Sequence, residues 1–200
     1  MKRTNLSVDT VLPYLLLIGG AIGVLLSSVL TIETIALLKN PSTVMSCDIN
    51  PIISCGSVVS KPQASALGVP NTVIGIIGFS AVATIGAALL AGAQFKRWFW
   101  RGLQGGVTFG MLAVMWLQYQ SIYVIGALCP FCMVAWTIMT PMFLYTTLYN
   151  LRHSMISLPK SWDNIVAGAQ RNHLGILIVW FLVIAGLILQ RFWDFWSTLL

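Results

Sequence analysis

Leu128-Cys129-Pro130-Phe131-Cys132 stands between two apolar runs, Leu103 to Leu128 and Met133 to Tyr149. A C-x-x-C pair at the mouth of an apolar helix couples thiol chemistry to a bilayer, and the rest of the chain must fit around it. Pro130 suits the first helical position, where its missing N–H costs nothing, so Cys129 is predicted at the N-cap. Cys132, three residues on, shares that face one turn further in. The two sulfurs can form a disulfide or act as separate thiols, and a helix N-terminus favours the thiolate. This spacing puts Cys129 nearer water and Cys132 nearer lipid, which gives them different partners. The competing uses are a structural disulfide or a zinc site completed by Cys47 and Cys55. A disulfide across so short a loop stabilises little, and an oxidising face works against zinc thiolates. No metal is expected.

Composition points the same way. The chain has 200 residues, 58% of them hydrophobic and only 8% charged, against about 25% charged in a soluble domain. Its net charge of +6 fits basic loops at a membrane surface and is weak support for nucleic-acid binding. The first apolar run is too long for a signal-peptide core and lacks a small-residue cleavage site, so it is expected to be a retained anchor. Five runs approach the roughly 20 residues that cross a hydrocarbon core, over about residues 11–35, 72–95, 103–127, 129–149 and 173–192. The last is the shortest, with Trp193 and Trp196 as interfacial aromatics. The expected fold is all-α and integral to the membrane, one domain over residues 1–200 without internal repeats.

Basic residues set the orientation. Lys2 and Arg3 precede the first run, Lys96, Arg97 and Arg101 join the second to the third, and Arg152, Lys160 and Arg171 lie between the fourth and fifth. The other side holds Lys39, Lys61 and Arg191. The positive-inside rule then predicts a cytoplasmic N-terminus and an outward C-terminus. The loop over residues 40–70 and the turn before Cys129 both face outward. All four cysteines are therefore expected on the side where disulfides persist.

The outer loop is long enough to be functional. It opens on Asn40-Pro41-Ser42, holds a candidate interfacial helix over Ser57 to Ala66 interrupted by Pro62, and closes on Gly68-Val69-Pro70-Asn71. Cys47 and Cys55, eight residues apart, could be a structural staple. With a C-x-x-C on the same face they read better as a second redox pair, since exchange needs a thiolate to attack a disulfide in line. One of them must then reach Cys129. Glu33 is expected to be interfacial, because a membrane carboxylate is costly. His153 and His173 are expected to meet headgroups, and the segment around Trp162 and Ile165 to be amphipathic. Met111 and Met115 are expected in the core, and Gln118 and Gln120 at a polar pocket or between helices.

Cys47-Asp48, Ile53-Ser54-Cys55, Val69-Pro70-Asn71 with Gly75, and Cys129-Pro130-Phe131-Cys132 resemble the vitamin K epoxide reductase family, and its bacterial members most. The resemblance covers about Val11 to Tyr149. It implies a four-helix bundle around a quinone (ubiquinone or menaquinone) plus a fifth transmembrane helix, in a bacterial inner membrane. Bacterial members often carry a thioredoxin-like domain after that helix. With the chain stopping at Leu200, the expected partner is a separate DsbA-like thioredoxin-fold protein. By matched position Cys47 would exchange with that partner, Cys55 would react with Cys129, and Cys132 would pass electrons to the quinone. Asn71 matches the family's donor to a quinone carbonyl, although an N-cap role alone is the commoner use of such a residue. Ile74 is expected beside it. Trp136 falls where animal relatives have a quinone-contacting tyrosine, with a lipid-facing aromatic as its plainer role. Lys61 stands where the family often has Ser or Thr, with Ser60 or Ser57 as possible substitutes.

The expected function is a membrane thiol oxidase that reoxidises its partner and supports disulfide formation. The competing functions are a quinone or epoxide reductase driven by thiols, and a scaffold or transporter with structural disulfides.

Overall fold

The computed structural model describes residues 8–156, 159 and 162–197. Lys2, Arg3 and Lys160, used above for orientation, lie outside the described residues. The described chain is helical, with α1 at Val8–Lys39, α2 at Cys55–Val59, α3 at Asn71–Leu90, α4 at Arg97–Tyr119, α5 at Pro130–Arg152, α6 at Asp163–Arg171, α7 at His173–Arg191 and α8 at Trp193–Ser197. Four of these, α1, α3, α5 and α7, are long and apolar enough to cross a membrane. The fold is that of an all-α membrane protein.

Lipid offers no hydrophobic drive between helices, so close packing needs small residues and polar contacts. Both are present. Where α1 crosses α3, a Cβ on Gly20 would meet the Ala83 backbone nitrogen at 2.7 Å, and one on Gly86 would meet the Leu17 nitrogen at 2.4 Å. Neither position admits a side chain without separating the helices. Between α4 and α5, the Gln104 amide donates to Thr147 Oγ1 at 2.9 Å and the Asn150 amide donates to Gln104 Oε1 at 3.0 Å. Leu12, Leu16, Trp100, Val107, Met142, Tyr145 and Leu148 fill the space around these contacts. By contrast, α7 buries no residue and exposes Leu174, Ile178, Val179 and Leu182, the pattern of a lipid-facing helix.

The expected third span shifts at both ends. Arg97 and Arg101, expected in a connecting loop, lie in the first turns of α4. Arg97 donates to the carbonyls of Ser154 and Met155, and Arg101 donates to that of Met155 at 3.0 Å. A long cationic side chain can leave a helix end and reach such carbonyls just past the end of α5. At its other end the α-helix stops at Tyr119 and passes into a π-helical turn, Gln120–Ile125, closed by Gly126. Asp9, Arg152 and His153 meet at this basic end, with Asp9 3.2 Å from Arg152 and 2.8 Å from His153. His153, expected to meet headgroups, is exposed and also bonds Asp9 within the protein. The cysteines gather at the opposite end.

Candidate functional site

The loop after α1 is shaped by short polar side chains that accept backbone N–H groups. Asp48 is its main clip. Its Oδ2 accepts the Met45 N–H at 3.1 Å, while its Oδ1 accepts the Ser54 hydroxyl at 2.8 Å and the Gly56 N–H at 2.9 Å. Asn50 Oδ1 accepts the N–H groups of Ile52 and Ile53 at 3.0 and 2.8 Å, which closes a tight turn. Ser54 then caps α2 by accepting the Ser57 N–H at 3.0 Å. Cys47 and Cys55 are brought to a Cα separation of 5.6 Å and are disulfide-bonded. Partial burial opposes ionisation of Asp48, but the Gly56 N–H, the Ser54 hydroxyl and the Met45 and Cys55 N–H groups outweigh it. The carboxyl is held below the usual carboxylate range.

A second device brings the loop to the C-x-x-C. Gly126 adopts φ +70°, a left-handed turn open to glycine at little cost, and this releases Ala127 and Leu128 from helix. Leu128 then pairs with Ile53 in a short parallel bridge. The Leu128 N–H donates to the Ile52 carbonyl at 2.7 Å, and the Ser54 N–H donates to the Leu128 carbonyl at 3.0 Å. Cys55 follows one side of this bridge and Cys129 the other. Their sulfurs stand 3.1 Å apart across 74 positions of sequence. Cys129 is the N-cap of α5, with Pro130 in the first turn, and its sulfur accepts the Cys132 N–H at 3.4 Å. Cys129 and Cys132 are free thiols.

The expectation that Cys129 lies nearer water is corrected by the way the loop folds over it. Cys55 and Cys129 are both completely buried, among Leu30, Met45, Val58 and Ala127. Cys132 is the more exposed of the C-x-x-C pair. The two thiols do have separate surroundings, but Cys129 faces protein. Glu33, expected at the interface, also meets the loop. Its Oε1 lies 3.4 Å from the Ser46 nitrogen and its Oε2 3.9 Å from the Cys47 sulfur. A disulfide sulfur carries no proton to donate, so this contact becomes a hydrogen bond only when Cys47 is a thiol.

Behind the C-x-x-C, a cavity of about 60 Å³ is lined by Cys132, Trp136, Asn71, Thr72, Gln63 and Leu30, among others. Its wall is mainly apolar, and its volume is below the roughly 150 Å³ at which an apolar cavity accepts a benzene-sized ring. Two polar atoms in its lining residues, Thr72 Oγ1 and Gln63 Oε1, are buried without a hydrogen-bond partner. By its chemistry, an apolar wall with Cys132, Trp136 and the Asn71 amide beside it suits a quinone ring, which would widen the cavity on entering. A larger cavity of about 240 Å³ lies at the Asp9 and His153 end and is not lined by any cysteine. Thiol chemistry belongs to the smaller one.

Asn71 and Trp136 both line the thiol cavity, whereas its wall passes through Thr72 and does not include Ile74. Asn71 is the first residue of α3 instead of its cap, which falls at Pro70. Its amide donates to the Gln63 carbonyl at 2.7 Å. Trp136 is buried against Ile122, Leu128 and Phe192, so the lipid-facing role is excluded. Lys61 precedes the short 3₁₀ turn Pro62–Ser65 and makes no side-chain cap there. Asp48, Asn50 and Ser54 were not singled out as architects of the loop, although acceptor-bearing turn formers around Pro51 were a signal for them. No periodicity in the sequence foreshadows the Ile53–Leu128 bridge.

Two cysteine pairs converge at one end of a helical membrane bundle, an arrangement that fits a membrane oxidoreductase. The family model described as the vitamin K epoxide reductase family matches residues 14–147, and the chain belongs to that family. Proteins of this family use quinones.

Proposed function

We propose that this protein is a membrane thiol oxidase that draws two electrons from a separate DsbA-like thioredoxin-fold protein and delivers them to a membrane quinone. The observation that carries this is the 3.1 Å approach of Cys55 to Cys129, which joins the two pairs into one relay. The partner's thiolate attacks the Cys47 sulfur, the Cys47–Cys55 bond breaks, and Cys55 leaves as a thiolate. Cys55 attacks Cys129 of a Cys129–Cys132 disulfide and releases Cys132. The partner's second thiolate then attacks its own sulfur in the mixed disulfide, which completes the partner's disulfide and frees Cys47. Cys47 attacks Cys55, restores the loop disulfide and releases Cys129. Two electrons and the accompanying protons now rest on the helix pair, the arrangement seen here with Cys47–Cys55 closed and Cys129 and Cys132 free.

A quinone bound beside Cys132 would supply the two-electron, two-proton sink needed for the helix pair to return to a disulfide. Asn71 and Trp136 would help to hold it, beside the Cys132 thiol that lines the same cavity. The basic residues at the end away from the cysteines support a cytoplasmic placement of that end by the positive-inside rule. The cysteines then face the periplasmic side of a bacterial inner membrane, where a thioredoxin-fold partner would meet them.

The test is quinol formation by membranes containing the protein, given a reduced DsbA-like protein and a quinone. Quinol is expected, with loss in Cys132→Ala. No quinol, or a Cys132→Ala variant as active as the unsubstituted protein, would overturn the proposal.

A further inference from the structure

We infer that Phe192, at the end of α7, is a positioning residue for the C-x-x-C, bracing the residue before Cys129 and the residue one turn after Cys132. This rests on the relay proposed above and extends it to a residue outside the 14–147 match to the family. None of the 19 residues of α7 is buried, and Leu174, Ile178, Val179 and Leu182 are exposed. Phe192, the C-cap of that helix, is only 6% exposed and joins Ile122, Leu128 and Trp136 in one buried cluster. An apolar side chain gains no hydrophobic drive by leaving hydrocarbon, so packing is what holds it among protein groups. Phe192 ties α7 to the redox site.

The backbone sets the direction of this side chain. The Phe192 N–H donates to the Ile188 carbonyl at 3.1 Å, and the Phe192 carbonyl accepts the N–H groups of Phe195 and Trp196 at 3.2 and 3.1 Å. Phe192 is therefore the corner between α7 and α8, held from both sides. Ile188 and Trp196, one on each side of the corner, pack against the same cluster. Two members of that cluster serve the relay in different ways. Leu128 donates to the Ile52 carbonyl and accepts the Ser54 N–H, and this bridge sets Cys129 against Cys55. Trp136 lines the cavity shared with Cys132. Cys132 and Ile52 also pack against the cluster. Removing the ring would leave a space into which both Leu128 and Trp136 can shift, loosening the motif at its two ends at once.

The test uses the full chain in detergent, with the loop disulfide closed and the helix pair reduced. The rate at which N-ethylmaleimide alkylates Cys132 is read by tandem mass spectrometry. Phe192→Ala is expected to raise it about fivefold, because the space left by the ring admits the reagent. In a Cys132→Ala background, Phe192→Ala is expected to slow formation of the Cys55–Cys129 disulfide about tenfold, because Cys129 is no longer held in line. Phe192→Leu should keep both rates within about twofold of the unsubstituted residue, and Phe192→Val should fall between Leu and Ala. That series reads even if Phe192→Ala does not fold. Leu148→Ala, a large-to-small change in the buried core at the other end of α5, should leave both rates within about twofold. Rates unchanged in Phe192→Ala and Phe192→Val, or shifted equally in Leu148→Ala, would overturn the assignment while leaving the relay standing. Failure of the Cys55–Cys129 disulfide to form in Cys132→Ala alone would overturn the relay, and Cys132 alkylation would still decide the role of Phe192.

Discussion

The two cysteine pairs are held by opposite means. Cys129 and Cys132 sit on the first turn of a 23-residue helix, where backbone geometry alone sets their spacing. Cys47 and Cys55 sit in a loop held by side-chain acceptors, with Asp48, Asn50 and Ser54 each bonding the backbone or one another. The helix pair is fixed and half sealed. The loop pair is buried and held by hydrogen bonds that side chains supply. A relay needs this asymmetry, because one pair must exchange with an outside protein and then turn inward to a buried target. The Ile53–Leu128 bridge joins the two regimes.

Removing a relay sulfur breaks the comparison most severely. Cys129→Ala should reduce quinol formation to background while leaving the Cys47–Cys55 disulfide intact, read by mass increase after alkylation before and after reduction. Unclipping the loop comes next. Asp48→Ala removes three hydrogen bonds to a carboxylate at a partly exposed site and should slow transfer from loop to helix pair by about tenfold, measured by quenched single turnover. Its pH dependence has a definite sign. The Asp48 carboxyl is lowered in the folded protein, so its contribution is complete above the unfolded value near 4. It is lost only as pH falls below that, through the folded value. The contribution of this clip should stay flat from pH 8 to pH 5.

A smaller effect tests the helix side. Gly126→Ala places a side chain at φ +70° and should cost about 1 kcal/mol in unfolding free energy, with the loop disulfide still formed. The smallest effect is expected at Glu33. Glu33→Gln keeps an oxygen for the Ser46 N–H but cannot take a proton from the Cys47 thiol. It should slow release of the oxidised partner by about threefold near neutral pH, and less as pH rises and hydroxide deprotonates the thiol.

Much of this was legible in the sequence. The apolar runs, the N-cap place of Cys129 after a Pro-led turn, and the Cys47, Cys55, Cys129, Cys132 set all follow from local rules of helix geometry and thiol chemistry. What was not legible depends on contacts between distant segments. The burial of Cys129 arises because Leu30, Met45 and Val58 close over it, and no run of residues near Cys129 announces that. Trp136 reads as equally suited to a quinone contact or to lipid until Phe192, from the far end of the chain, packs on it. The end of α4 was overextended because Gln120 to Leu128 is apolar enough to continue a span, and only Gly126 marks the break.

The Cys55–Cys129 contact can be tested most directly by trapping it. In Cys132→Ala, Cys129 has no neighbour in its own motif, and its thiolate should attack Cys55 to form a Cys55–Cys129 disulfide with Cys47 set free. Digestion under acid-quenched, non-reducing conditions followed by mass spectrometry should find the peptide containing Cys55 linked to the peptide containing Cys129. Recovery of Cys47–Cys55 alone, with Cys129 fully alkylated at every time point, would contradict a relay through this contact.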